Sequence, residues 1–130
     1  MSNKIEVMVI DDEPIVCERV KDYLEKKGVA TETFTDSQSA LKRIQEKTFD
    51  VIVTDVKMEG ANGIDVLLRV KNDNHRSEVI IITGYSPFDS YLDAEAIGVS
   101  DYILKPFKMD DLYKSIKKAA KKAQKMKGGR

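Results

Sequence analysis

Asp11, Asp12, Asp55, Thr83 and Lys105 each stand at the end of a short apolar run, and together they form a reactive set. Val7 to Ile10 leads into Asp11-Asp12, and Phe49 to Thr54 leads into Asp55. Val79 to Ile82 leads into Thr83-Gly84, and Tyr102 to Leu104 leads into Lys105-Pro106. Carboxylates gathered within a few ångströms repel one another, by about 1 kcal/mol per pair in water and roughly 4 at an effective dielectric of 20. A cation must therefore accompany them. Oxygen ligands with no His or Cys nearby select Mg²⁺ or Mn²⁺ over zinc. Lys105 adds a fixed positive charge, and the Thr83 hydroxyl can donate to a phosphate oxygen. That kit suits phosphoryl transfer, in which positioning and charge neutralisation do most of the work. The nucleophile would be the Asp55 carboxylate, giving an acyl phosphate.

Such convergence requires a particular scaffold. Residues 5–10, about 30–34, about 51–54, about 78–83 and about 102–104 predict strands, several of them apolar enough to be buried on both faces. Val16, Val20 and Leu24 repeat at helical spacing, with Asp12 as the expected cap, Pro14 in the first turn and Gly28 as the stop. Asp36 is the expected cap of a second helix that carries Ala40, Leu41 and Ile44. The loop after Asp55 holds Gly60 and Gly63, which indicates a tight backbone path beside a ligand or another loop. A third helix carries Ile64, Leu67 and Leu68 and gives way to a polar linker, Lys71 to Ser77. A fourth runs from near Pro87 to Ile97, ended by Gly98. A fifth starts around Asp110, with Leu112, Ile116, Ala119 or Ala120, and Ala123 inside. Alternating strands and helices predict an α/β fold, a (βα)5 doubly wound parallel sheet of order 2-1-3-4-5. In that order strands 1, 3, 4 and 5 are neighbours, so the reactive residues meet at the carboxyl edge.

Composition agrees with one domain: 130 residues, 42% hydrophobic and 34% charged. No apolar run approaches the roughly 20 residues that cross a bilayer, and the N-terminus lacks a signal-peptide core. The single cysteine, Cys17, cannot form an internal disulfide and is expected as a small buried hydrophobe; a cytoplasmic location follows. The formal net charge of zero is unevenly spread. Residues 114–130 hold eight basic groups and no acid, while the other 113 hold 14 basic against 22 acidic groups, net −8. Without aromatic or arginine interleaving the basic stretch reads as a solvated helix end, and no direct nucleic-acid or membrane contact is expected. The expected boundaries are 1–122 for the domain and 123–130 for a basic extension of the last helix.

The set Asp11-Asp12, Asp55, Thr83-Gly84 and Lys105-Pro106-Phe107 resembles the receiver domain of bacterial two-component response regulators, over about residues 4–122. The resemblance implies that Asp55 is the phosphoacceptor. Asp11, Asp12, Asp55 and the backbone carbonyl of Lys57 would hold Mg²⁺. It also implies a switch made of Thr83 and Tyr102, a phosphate-binding Lys105, and a cis peptide between Lys105 and Pro106. Phosphate on Asp55 would draw Thr83 inward and let the Tyr102 ring turn, reshaping the face of helix 4, strand 5 and helix 5. The partners implied are a sensor histidine kinase or histidine phosphotransfer domain and a downstream protein on that face, with the chain a monomer or a weak phosphorylation-dependent dimer. It would promote its own phosphorylation and dephosphorylation without being a turnover enzyme.

The sequence departs from the family where proline is common four residues after the phosphoacceptor; Glu59 stands there and is expected to face solvent. Lys57, Glu59 and Tyr85 are candidates for tuning the phosphate lifetime, with slow dephosphorylation expected. An Asp-nucleophile phosphatase of the haloacid-dehalogenase type would want Asp-x-Asp after its first strand, where the acids here are adjacent. A flavodoxin-like carrier would want a Ser/Thr/Gly-rich phosphate loop, which Asp11-Asp12-Glu13 opposes. The alternative from another class is a receiver-fold interaction module that works without phosphorylation. No output domain is expected after residue 130.

Overall fold

Val7 to Ile10 have no exposed surface, and this is why β1 (Glu6–Ile10) reads as an unbroken apolar run with no polar alternation. The computed structural model describes residues 4–56, 62–73, 76–84 and 88–128, the last segment without the side chains of 88–92 and 126–128. After β1 come α1 (Pro14–Lys26), β2 (Ala30–Phe34), α2 (Ser37–Glu46), β3 (Val51–Asp55) and α3 (Gly63–Asp73). β4 (Glu78–Thr83), α4 (Phe88–Ile97), β5 (Asp101–Leu104) and α5 (Met109–Gly128) complete the chain. All strand pairs are parallel, and the sheet order is β2-β1-β3-β4-β5, as the sequence predicts.

Two cores flank the sheet, because alternate residues of each strand face opposite sides. Val7, Val9, Val51, Val53, Ile80 and Ile82 pack on α1 and α5 through Cys17, Val20, Leu24, Leu112 and Ile116. Met8, Ile10, Ile52, Val79 and Ile81 pack on α2, α3 and α4 through Ala40, Ile44, Val66, Leu67, Val70 and Ala94. On α1 the buried stripe is Cys17, Val20 and Leu24, with Val16 only half-buried, so the thiol takes the inner place that helical spacing offers to Val16.

One helix start differs from expectation. Asp12 does not cap α1: the N-cap is Glu13, without a side-chain cap, and Pro14 begins the helix. The Glu13 N–H is taken instead by Asp11 Oδ1 at 2.9 Å. At α3 the cap is Asn62, whose Oδ1 accepts from the N–H groups of Ile64 (2.8 Å) and Asp65 (3.0 Å), while Asp65 Oδ2 accepts from the Asn62 N–H. Asp36 caps α2 through the Ser39 N–H, as expected.

The polar stretch before β4 is more than a linker. Ser77 is fully buried and its hydroxyl donates to the Phe49 carbonyl at 2.6 Å. Arg76 forms a 2.6 Å ion pair with buried Asp50, whose other oxygen accepts from the Glu6 N–H and from Gln124 Nε2. These contacts fasten the amino ends of β1, β3 and β4 to the far end of α5. That helix runs unbroken past residue 122, and Ala123 is fully buried. The terminal lysines have local partners, such as Lys114 with Asp110, Lys117 over the Tyr113 ring and Lys122 near Glu78.

Candidate functional site at the carboxyl edge of the sheet

β1 ends at Ile10, opposite Thr54 of β3, so Asp11 and Asp55 emerge side by side. β4 continues the row, with Ile82 opposite Asp55, and Thr83 is opposite Leu104 of β5. The residue after Leu104 is Lys105, whose N–H donates to the Thr83 carbonyl at 2.8 Å. Strand register alone therefore brings four distant segments to one point.

Carboxylate oxygens of Asp11, Asp12 and Asp55 lie within 4.8 Å of one another. Asp11 is fully buried, Asp55 nearly so, and Asp12 is exposed. The Lys105 ammonium sits among the acids, 2.7 Å from Asp11 Oδ2, 3.0 Å from Asp55 Oδ2 and 3.2 Å from Glu13 Oε1. Burial alone would lower the Lys105 pKa, but its bonds to Asp11 and Asp55 outweigh this and hold it well above its ordinary value. Burial pushes the Asp11 carboxyl up, against the lowering pull of Lys105 and the Glu13 N–H. The ammonium reaches Asp11 Oδ2 at ion-pair distance without the direction of a good hydrogen bond, so this buried oxygen keeps unmet acceptor capacity. A buried, under-satisfied carboxylate oxygen among two further acids, with no His or Cys in the cluster, suits a small hard cation such as Mg²⁺.

Thr83 is buried at the end of β4. Tyr102, opposite Ile81, is half-buried and packs on the core beneath α2, α3 and α4. The Lys105–Pro106 peptide bond is cis. Lys57, Glu59, Gly60 and Tyr85 lie outside the described residues. Gly63 is where the expected close backbone approach occurs: its N–H bonds the Val56 carbonyl at 2.8 Å, and a Cβ there would run into the Asp55 carbonyl oxygen. Glu13 is the neighbour that sequence reasoning missed. Its charge was visible beside Asp11-Asp12, but the helix start that leaves it free to meet Lys105 was not.

Beside Lys105 lies a mostly apolar groove of about 430 Å³, lined by Val16, Arg19, Pro106, Phe107 and Met109. Ile15, at the start of α1, is 52% exposed. On the outer side of β5, Leu104 is 54% exposed, and a second groove of about 370 Å³ runs between Ser100, Asp101, Ser115, Lys118 and Lys122.

The sheet order, the helices on both faces and the acidic cluster at the carboxyl edge define the class: a doubly wound domain of the chemotaxis-response-regulator type. Residues 7–117 match the family model of the response regulator receiver domain, and the chain belongs to that family. A receiver domain from Clostridium thermocellum is 31% identical, with a TM-score of 0.88 over 94% of this chain and 98% of that one. The response regulator TrrA of Thermotoga maritima, solved in complex with Mg²⁺ and BeF, is 29% identical, with a TM-score of 0.80 over 88% of this chain and 98% of that one. Among curated proteins, the transcriptional regulatory protein FixJ of Bradyrhizobium diazoefficiens is 30% identical over 124 residues, 95% of this chain and 60% of the relative. ZraR of Escherichia coli is 30% identical over 117 residues, 90% of this chain but 26% of the relative. The chain thus spans between about a quarter and three fifths of the length of these regulators. Among the described residues, no helix is long and apolar enough to cross a membrane.

Proposed function

We propose that Asp55 accepts a phosphoryl group from a phosphohistidine, and that the phosphorylated domain signals through the face of α4, β5 and α5. The observation that carries this reading is the Lys105 ammonium held between Asp11 and Asp55. A carboxylate oxygen of Asp55 attacks phosphorus; the P–N bond breaks and its electron pair returns to the imidazole nitrogen. Asp11, Asp12, Asp55 and the Lys57 carbonyl would hold Mg²⁺, which supplies neutralisation of the phosphoryl oxygens. Lys105 leaves the carboxylates to pair with a phosphate oxygen, and the Thr83 hydroxyl donates to another. Movement of Thr83 gives the half-buried Tyr102 ring room to turn, and the exposed Leu104 and the groove by Lys118 and Lys122 are where a downstream protein or a second copy would sense it.

The donor is a sensor histidine kinase or phosphotransfer domain. Its helix would lie along the apolar groove beside Lys105, which offers both depth and apolar lining. Lys57 and Tyr85 stand at positions that flank the acyl phosphate in the family and would slow its hydrolysis; decay as fast as a free acyl phosphate would defeat that part.

Incubation with acetyl phosphate and Mg²⁺ should add one phosphoryl mass, and Asp55→Asn should not gain it. Absence of the gain in the unaltered chain would favour an interaction module that works without phosphorylation.

A further inference from the structure

Glu13 occupies the N-cap of α1, but its side chain, a poor cap, makes no capping bond there and is left to turn elsewhere. Its backbone is extended (φ −96°, ψ 107°) and its N–H holds Asp11 Oδ1. Its carboxylate turns the other way and meets the Lys105 ammonium at 3.2 Å. Of the three carboxylates on Lys105, Asp11 and Asp55 are committed to the cation and the phosphoryl group under the function proposed above. Glu13 is the one that neither would take away. We propose that Glu13 is a positioning residue that competes with the incoming phosphoryl group for Lys105, holding the lysine at the mouth of the site and lowering the affinity of the site for the phosphoryl form.

This inference rests on the proposed phosphoacceptor role of Asp55. It predicts that freeing Lys105 strengthens the hold on a phosphoryl mimic. The Glu13 side chain is 58% exposed, so solvent screens the contact and the effect is modest, about two- to fivefold.

The test is calorimetric titration of the Mg²⁺-loaded protein with beryllofluoride, for the unaltered chain, Glu13→Gln and Glu13→Asp. Glu13→Gln removes the charge. Glu13→Asp keeps the charge, but the shorter side chain is a good N-cap and is drawn to the first-turn N–H groups of α1 and away from Lys105. Competition for Lys105 predicts that both variants bind beryllofluoride about two- to fivefold tighter than the unaltered chain. Tighter binding by Glu13→Gln alone would overturn the proposal, since the general field of one negative charge would then account for it. Unchanged or weaker binding in both would also overturn it. Urea unfolding of each variant separates a loss of folding from a loss of binding. If the unaltered chain itself binds no beryllofluoride, the phosphoacceptor reading fails, and Glu13 has nothing to compete with.

Discussion

The Lys105 ammonium lies 3.0 Å from Asp55 Oδ2, although the two residues are 50 positions apart, at the ends of β5 and β3, strands that do not touch. β4 stands between them. The contact exists because a residue just past the end of β5 can reach back across β4 to the end of β3.

Removing that ammonium should expose the repulsion it conceals. Lys105→Met leaves Asp11 and Asp55 facing each other without a cation and should cost about 1–3 kcal/mol in urea unfolding without metal. Millimolar Mg²⁺ should recover more stability in this variant than in the unaltered chain, because the ion has more uncompensated charge to neutralise. Equal gains from Mg²⁺ in both proteins would contradict this.

Acidity should act on the metal-free protein through Asp11. Its carboxyl is raised above 3.8 in the folded state, chiefly by burial, so the folded protein holds that proton more tightly than the unfolded chain. The contribution to stability is present below pH 3.8 and is lost as pH rises through the folded value. Asp11→Asn lacks this loss. Its stability advantage over the unaltered chain should therefore grow as pH is raised from the acid side, which paired urea titrations would measure.

Gly63 should not tolerate a side chain. A Cβ would meet the Asp55 carbonyl oxygen and lie 2.9 Å from the Val56 Cα, both backbone atoms that cannot swing aside. Gly63→Ala should cost about 1–3 kcal/mol. It should also slow phosphorylation by acetyl phosphate, because the strand end carrying Asp55 must shift.

The apolar groove allows donor docking to be separated from chemistry. Phe107 lines it and packs on the α1–α5 core, while Ile15 stands exposed at the start of α1. Ile15→Ala should leave phosphorylation by acetyl phosphate unchanged and slow transfer from a phosphorylated protein donor several-fold. Equal slowing with both donors would place Ile15 in the chemistry and remove it from docking.

The fold was legible because apolar strands and amphipathic helices alternate, and the site because its acids and lysine each end a strand. Side-chain commitments were less visible. Asp12 looked like a cap, but Asp11 takes the Glu13 N–H and the helix begins one residue later. Arg76 and Ser77 looked like polar linker until β4 was paired with β3, which brings them to Asp50 and Phe49. Such pairings depend on where a chain returns 26 or 28 residues later, and periodicity carries no record of that.

Cys17 gives the molecule a built-in reporter. Its thiol lies against the carbonyls of Asp11 and Phe34, and burial pushes its pKa up to about 11, so a thiol reagent must wait for the seam between α1 and the sheet to part. Each labelled molecule thus records one opening event beneath the acidic cluster. The labelling rate, followed with and without Mg²⁺ and beryllofluoride, would show how far occupation of the site clamps that seam shut.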